Sequence, residues 1–262
     1  MKRSSGVRTA ATVAVSVLSL ALVTGCSSEE SGGAKASDAE GSSSPNRAAK
    51  ALSAAELEKL LLAEGEIEGY KVASGDDTLP KSKSEVKTDK AECGPLAWAM
   101  AGLAPGDTDT GASNTVTADP ASDAASESAE DPTEADLENA FSVNMTFVGL
   151  SSYEGDGAEQ ALKAVSDGIA ACAGGFTITA QGETQKITKV SSEQGSAGGD
   201  ESVAFVLDSD MDGEGTAAFR TQVVRQGNTV ATYYTVDFAT MGTGKAAEVP
   251  SAVTTAQAAK LK

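Results

Sequence analysis

The chain has 262 residues and carries 38 acidic against 20 basic side chains, a formal net charge of −18. Such a charge disfavours nucleic acid and anionic lipid headgroups as partners, because both repel an acidic surface. The sequence contains no histidine, which excludes Ser-His-Asp and Cys-His catalysis and removes the commonest transition-metal ligand. Any catalysis would have to use carboxylates, lysine or tyrosine. No cofactor is expected.

The first 25 residues have the pattern of a secretion signal. Three basic residues, the last of them Arg8, precede an apolar run over about residues 10–23 that ends in LVTGC at Cys26. The run is shorter than the ~20 apolar residues that a helix needs to cross a bilayer. Its last four residues, VTGC, are similar to the lipobox of bacterial lipoproteins. That resemblance implies a diacylglyceryl thioether on Cys26 and cleavage before it; the alternative is ordinary signal cleavage with Cys26 merely nearby.

Residues 26–52 are predicted to form a tether. Serine, glycine, alanine and charged residues dominate this stretch, and such a composition cannot bury enough apolar surface to offset the entropy of ordering. Two acyl chains on one cysteine would anchor the chain stably. The membrane is therefore an expected partner through Cys26, and the expected location is the extracytoplasmic face of the cell membrane.

The first stretch that can build a core begins at Ser53. Glu56 stands three residues later, which is the spacing of a capping box, and the leucines that follow share one helical face. This pattern predicts a helix that Gly65 ends. A short strand is expected at Tyr70–Ala73, and a second helix at Glu92–Ala101.

Trp98 and Met100 are the large apolar residues of the second predicted helix. We expect both to pack in the core, and the alternative is that they line a ligand pocket. After this helix, residues from about 105 to 133 are mostly Asp, Ala, Ser, Thr and Glu. A solvated, self-repelling acidic insertion without order is predicted there.

The second core-forming stretch carries most of the predicted elements. In its last strand, alternate residues from Val230 to Phe238 form one apolar face. The other face is expected to be partly wet, that is, partly exposed to solvent. Gly227 and Asn228 separate two strand-like runs and predict a tight hairpin of the II′ or I′ kind. The expected elements are a strand over Phe141–Phe147, a helix from about Gly157 to Ala173, strands at Phe176–Ala180, Lys186–Val190 and Val203–Leu207, a hairpin of Ala217–Gln226 with Thr229–Phe238, and a final helix from about Pro250 to Leu261.

Two cysteines remain if Cys26 is lipidated, namely Cys93 and Cys172. Because an exported protein meets an oxidising environment, a disulfide between them is expected. The alternative is two buried free thiols. The order of elements, with helices first and then a strand, a long helix and a meander, predicts a single α+β domain over residues 53–262.

Three stretches resemble a known family: ECGPLAWAMAG, AVSDGIAACAGGFTI and RTQVVRQGNTVATYYTVDF. They look like the PknH-like extracellular sensor domains, a family that includes actinobacterial lipoproteins. The resemblance covers roughly Ser53 to Phe238. It implies a twisted antiparallel sheet flanked by helices, held by disulfides, that senses a ligand or signal at the cell surface. The family usually has two disulfides, whereas this chain offers one.

The stretch DSDMDGEGTAAF, from Asp208 to Phe219, has the first half of a calcium-binding loop. Asp208, Asp210 and Asp212 alternate as cation ligands would, and Gly213 follows them. Phe219 stands where a bidentate glutamate is needed, and a strand rather than a helix is expected next. We interpret the stretch as a solvated hairpin turn, so that the three aspartates are weak metal candidates and no metal site is favoured.

Two classes of function fit these observations. The first is a membrane-anchored binding or sensor module without catalysis, whose ligand would be a small molecule, a lipid or a cell-wall fragment; its plainer form is an accessory envelope protein without a ligand. The alternatives are a cell-envelope hydrolase that uses two carboxyl groups about 5 to 10 Å apart, or a weak calcium-binding surface protein.

Overall fold

The structure is a computed structural model that describes residues 50–74, 79–119, 144–195 and 198–262. The predicted signal peptide, Cys26 and the predicted tether up to residue 49 lie outside the described residues, as does the start of the strand predicted at Phe141. The described residues fall within one compact unit, Ser44–Lys262. In this part of the chain, no helix has both the length and the apolar character to span a bilayer.

The described residues form four α-helices, nine strands and three short 3₁₀ turns. The helices are α1 (Ala54–Leu60), α2 (Gly94–Met100), α3 (Gly157–Ala171) and α4 (Ser251–Lys260). The strands are β1 (Tyr70–Ser74), β2 (Val86–Thr88), β3 (Gly111–Ala118), β4 (Asn144–Ser152), β5 (Phe176–Ala180), β6 (Glu183–Glu193), β7 (Glu201–Asp210), β8 (Thr216–Gln226) and β9 (Thr229–Asp237). The 3₁₀ turns are Lys83–Glu85, Ala91–Cys93 and Phe238–Thr240.

All nine strands join one antiparallel sheet in the order β1-β3-β4-β9-β8-β7-β6-β5-β2. Strands β5 to β9 form the predicted meander, and β1 and β2 are the two edges. In the β8–β9 turn, Gly227 has a φ of 58° whereas Asn228 has no positive φ, which is the pattern of a II′ turn. The predicted α+β fold with an antiparallel sheet is confirmed.

Helices cover both faces of this sheet. On one face, α2 and α3 pack on the sheet around Phe205 and Leu207. On the other, α1 and α4 pack around Val148 and Tyr233. The prediction that β9 has a partly wet face is therefore wrong, because the face that carries Tyr233 lies beneath these two helices.

The start and the end of α1 are fixed by side chains. Ser53 N donates to the Glu56 carboxylate at 2.8 Å, as the predicted capping box requires. At the other end, Gln257 of α4, with 0% of its surface exposed, donates Nε2 to the Leu60 carbonyl at 2.7 Å and accepts from Leu62 N at 3.2 Å. The helix therefore ends at Leu60 rather than near Gly65, because a distant side chain satisfies the backbone groups that would continue it.

Cys93 and Cys172 form the predicted disulfide. Cys93 ends the 3₁₀ turn before α2, and Cys172 caps the C-terminal end of α3. Both are fully buried. The bond therefore joins the two helices that cover the same face of the sheet.

The prediction of an acidic insertion without order over about 105–133 is wrong for residues 111–118, which form β3. This strand pairs with β1 on one side and β4 on the other, so its backbone hydrogen bonds are made by partners distant in sequence. On its inward face, Val116 is buried against the α1 cluster, and Asn114 donates Nδ2 to the Leu62 carbonyl at 2.6 Å. Residues 120–133 of the predicted insertion lie outside the described residues.

Candidate ligand-binding clefts

A cleft of about 330 Å³ lies beside the start of β3, on the face of the sheet that α2 covers. We call it the apolar cleft, because aliphatic groups make up much of its lining. The apolar residues of the lining are Leu79, Pro80, Leu103, Ala104 and Ala112, and its polar residues are Lys81, Ser82, Lys83, Thr108, Asp109 and Ser113.

The floor of the apolar cleft is set by a close approach of two backbones. After α2, the chain turns at Gly102, whose φ is 67°, and passes directly over Gly149 of β4. A Cβ at Gly149 would lie 2.3 Å from the Gly102 carbonyl oxygen. Only glycine fits there, so the loop that follows α2 lies against the sheet with no side chain between them.

One wall of the apolar cleft is held by Lys83. Its ammonium group donates to the carbonyls of Gly106 and Thr108, the latter at 2.6 Å, and lies 5.0 Å from the centre of the Trp98 ring. Burial lowers the pKa of Lys83, and the carboxylate of Asp109, 3.9 Å away, partly offsets that effect. Because the ammonium group already donates to two carbonyls, we interpret Lys83 as a residue that stabilises the wall rather than as an anion-binding group.

Tyr153 holds the same loop from the sheet side. Its hydroxyl oxygen accepts from Gly106 N at 3.1 Å and from Ser151 Oγ at 3.2 Å. Burial raises the pKa of this phenol, and its oxygen is the acceptor in both bonds. The walls of the apolar cleft are thus fixed by hydrogen bonds before any ligand arrives.

Trp98 and Met100 were expected in the core. Met100 is buried there, whereas Trp98 is half-buried at the border of the same cluster. The indole Nε1 of Trp98 is buried and has no hydrogen-bond partner among the described residues. Neither residue lines the apolar cleft, so the alternative role of pocket lining is not seen for this cleft.

A second cleft, of about 880 Å³, lies on the opposite face of the sheet, beside the end of α1. It shares Ala112 and Ser113 with the apolar cleft, so the two clefts flank the same piece of β3. We call it the polar cleft. Its charged lining residues are Glu58, Lys59, Glu64, Glu66 and Lys260.

The polar cleft contains one ion pair and one buried acceptor that has no hydrogen-bond partner among the described residues. Lys260 Nζ pairs with Glu66 Oε2 at 2.6 Å, and this hydrogen bond lowers the pKa of Glu66. Asn114 also lines the cleft with only 2% of its surface exposed. Its Oδ1 has no hydrogen-bond partner among the described residues, which is costly for a buried acceptor.

The aspartates singled out from the sequence lie elsewhere. Asp208 and Asp210 belong to the end of β7, and Asp212 takes a φ of 53° in the turn that leads to β8. Asp210 accepts from Gly213 N at 3.2 Å, so it stabilises the turn. The interpretation as a hairpin turn is confirmed, although both strands run further into it than expected. Across the described ranges, no three His, Cys, Asp or Glu residues group as metal ligands.

Sequence reasoning did not find the clefts. The sequence predicts no helix or strand over residues 79–83, and residues 111–113 fall within the predicted acidic insertion. The only local signal is the Leu79-Pro80 pair between polar residues. Both clefts lie beside residues 112–113 of β3, a strand that forms through partners distant in sequence.

No family model matches the chain, and no curated protein matches it either. Among solved structures, it is similar to the extracellular domain of PknH from Mycobacterium tuberculosis, at 14% sequence identity and a TM-score of 0.44. The similarity covers 81% of this chain and 95% of that domain. At this level of identity, it does not assign the chain to a family.

Proposed function

We propose that the chain is a lipid-anchored binding module of the cell envelope and that its ligand occupies the apolar cleft. The observation that carries the proposal is a cleft of about 330 Å³ whose walls are fixed in advance by Lys83 and Tyr153. This volume falls within the range of roughly 300–1,000 Å³ that is usual for small-ligand sites, which are mostly apolar and pre-formed.

The location in the proposal follows from the sequence. The LVTGC stretch that ends at Cys26 and the polar residues after it are what an anchored, extracytoplasmic protein needs. In that compartment, a binding module would meet small molecules, lipids and cell-wall fragments. The apolar lining favours a ligand, or a part of one, with little charge.

We further propose that the module binds without catalysis. The chain has no histidine, and the apolar cleft has a single carboxylate in its lining, the exposed Asp109. Hydrolysis by paired carboxylates needs two such groups about 5 to 10 Å apart across a substrate. Binding is therefore the simpler function for this cleft.

Filling the apolar cleft should abolish binding. We expect protein purified from its own envelope to retain a ligand that native mass spectrometry detects as added mass. Ser113→Phe should remove that mass, because the new ring would occupy the cleft from an exposed strand position. Ser192→Phe, an exposed strand position outside this cleft, is the matched control and should keep it. Repeatedly empty wild-type spectra, or equal retention by both variants, would contradict the proposal.

Lipid anchoring has its own test. Cys26→Ala should move the protein from the detergent phase to the aqueous phase in a phase-partition experiment, because the acylated residue is gone. Cys26→Ser keeps the size of the side chain and should behave in the same way. If Cys26→Ala still partitions with membranes, the lipoprotein part of the proposal is wrong.

A further inference from the structure

We propose that helix α4 is a movable wall of the polar cleft and that it detaches together with the end of α1 as one opening unit. The proposal goes beyond the function proposed above, which concerns the apolar cleft, and does not depend on it. Three features carry it: the small number of buried side chains in α4, the two hydrogen bonds of Gln257, and the position of Lys260 in the polar cleft.

Few side chains hold α4 against the sheet. Three of its ten residues are buried, namely Val253, Thr254 and Gln257, and only Val253 among them is aliphatic. Helix α3, by comparison, buries six residues, among them three large aliphatic side chains. Segments with few buried apolar side chains open locally at a smaller free energy than the core of a protein. We therefore expect α4 to detach without unfolding of the sheet.

Gln257 makes the docking of α4 a condition for the end of α1. The side chain is fully buried. It donates Nε2 to the Leu60 carbonyl at 2.7 Å and accepts from Leu62 N at 3.2 Å. Both backbone groups lose their partner when α4 leaves, and a buried polar group without a partner is costly. Detachment of α4 therefore releases the end of α1 as well.

The same two segments form one wall of the polar cleft. Leu61 and Leu62 line it from the end of α1, and Lys260 lines it from α4. The Lys260 ammonium pairs with Glu66 Oε2 at 2.6 Å, so it lies between α4 and the segment that follows α1. Detachment of α4 would withdraw Lys260 from the cleft and leave Leu61 and Leu62 free to move.

The connection before α4 places the hinge next to the helix. Gly244 N donates to the Thr216 carbonyl at 2.8 Å, and Arg220 Nη1 donates to the Ala247 carbonyl at 2.9 Å. Both bonds fix the connection to β8, and Ala247 is buried. The chain can therefore bend between Ala247 and Ser251, where α4 begins, while the rest of the connection stays in place.

Detachment changes which ligands the polar cleft admits. With α4 docked, the cleft has a volume of about 880 Å³ and Lys260 is bound to Glu66. With α4 detached, the Glu66 carboxylate loses its ammonium partner and the cleft is open on that side. A ligand that fits only the wider cleft would shift the equilibrium toward the detached state by its difference in affinity for the two states.

The first test is amide hydrogen exchange in the full-length protein in detergent, measured as a function of urea and resolved to single amides. We expect the amides of Leu62 and Gln257 to have protection factors within tenfold of each other, and at least tenfold below that of Phe205 in the inner strand β7. A smaller difference from Phe205 would show that α4 does not open separately. A larger difference between Leu62 and Gln257 would show that the two segments do not open together. Either result would overturn the inference.

A substitution in α4 tests the coupling directly. Val253→Ala removes buried methyl groups and keeps both hydrogen bonds of Gln257. It should accelerate exchange at Gln257 at least fivefold, and exchange at Leu62 by the same factor. Thr255→Ala, at an exposed position of the same helix, is the matched control and should accelerate neither. Faster exchange at Gln257 without faster exchange at Leu62, or no acceleration at either, would contradict a shared opening.

Opening of the cleft itself can be followed by thiol labelling. Leu62 lines the polar cleft and is buried, and Val223 is buried on the opposite face of the sheet. In the full-length protein, iodoacetamide should label Leu62→Cys at least tenfold faster than Val223→Cys, as read from the masses of the two peptides. Adding Val253→Ala should accelerate labelling of Leu62→Cys by the factor found for the Leu62 amide. A smaller ratio between the two cysteine variants would contradict an opening at the cleft.

These results are separable from the proposed function, because none of the measurements involves the apolar cleft. If they fail, the binding function of the apolar cleft still stands. If native spectra show an empty apolar cleft, the opening of α4 still stands.

Discussion

Replacing both Cys93 and Cys172 with alanine is expected to lower the free energy of unfolding by about 2–4 kcal/mol. The disulfide joins residues 79 positions apart, and the chain-entropy model gives an upper value of about 4.5 kcal/mol for a loop of that size. The cysteines also pack against the buried residues around α2 and α3, so the variant loses sulfur atoms from a close-packed core. Urea denaturation of the oxidised wild type and the double variant measures the difference.

Reduction of the wild type provides the control for this result. Dithiothreitol should lower the stability of the wild type toward that of the double variant and leave the variant unchanged. Thiol titration of denatured wild-type protein without reductant should find Cys93 and Cys172 unreactive. Two reactive thiols, or a loss of stability below about 1 kcal/mol, would contradict a structural role for this bond.

Gly149→Ala should destabilise the fold by about 3 kcal/mol, at the upper end of the usual cost of overpacking. The new methyl group would lie 2.3 Å from the Gly102 carbonyl oxygen and 2.6 Å from Thr232 Oγ1. The carbonyl belongs to the backbone, so relief requires the loop after α2 to move away from the sheet. Because that loop forms a wall of the apolar cleft, ligand binding should weaken as well. Thermal and urea denaturation, together with native mass spectrometry, measure both effects.

Gly174→Ala is the matched control for Gly149→Ala. A Cβ at Gly174 has no neighbour within 4 Å, and the same chemical change there should alter stability by less than about 1 kcal/mol. If the two variants were equally stable, the close approach of Gly102 and Gly149 would not be a constraint on the fold.

Elements with strong local signals could be predicted from the sequence. The α3 helix has apolar residues at helical spacing and glycines at its end, and β5 was predicted with the bounds that the structure gives. The β8–β9 hairpin followed from Gly227 and Asn228 between alternating runs. The capping box of α1 and the Cys93–Cys172 bond also needed only local or compositional reasoning.

Features that depend on distant partners could not be predicted. The β3 sequence, GASNTVTA, is small and polar, and it becomes a strand because β1 and β4 pair with both of its sides. The alternation in β9 indicated one buried face, and the second became buried because α1 and α4 cover it. The apolar cleft depends on the close contact between Gly102 and Gly149, for which composition and periodicity give no sign.

The hydrogen bonds between Gln257 and the end of α1 bear on the order in which the chain folds. Gln257 stands 195 positions after Leu62, so α1 is synthesised long before the side chain that completes it. An isolated helix of seven residues is unstable in water, and closing so long a loop is slow. We therefore expect the face of the sheet beneath α1 and α4 to be completed late in folding. Until α4 has been synthesised, the chain would expose the apolar residues of this face.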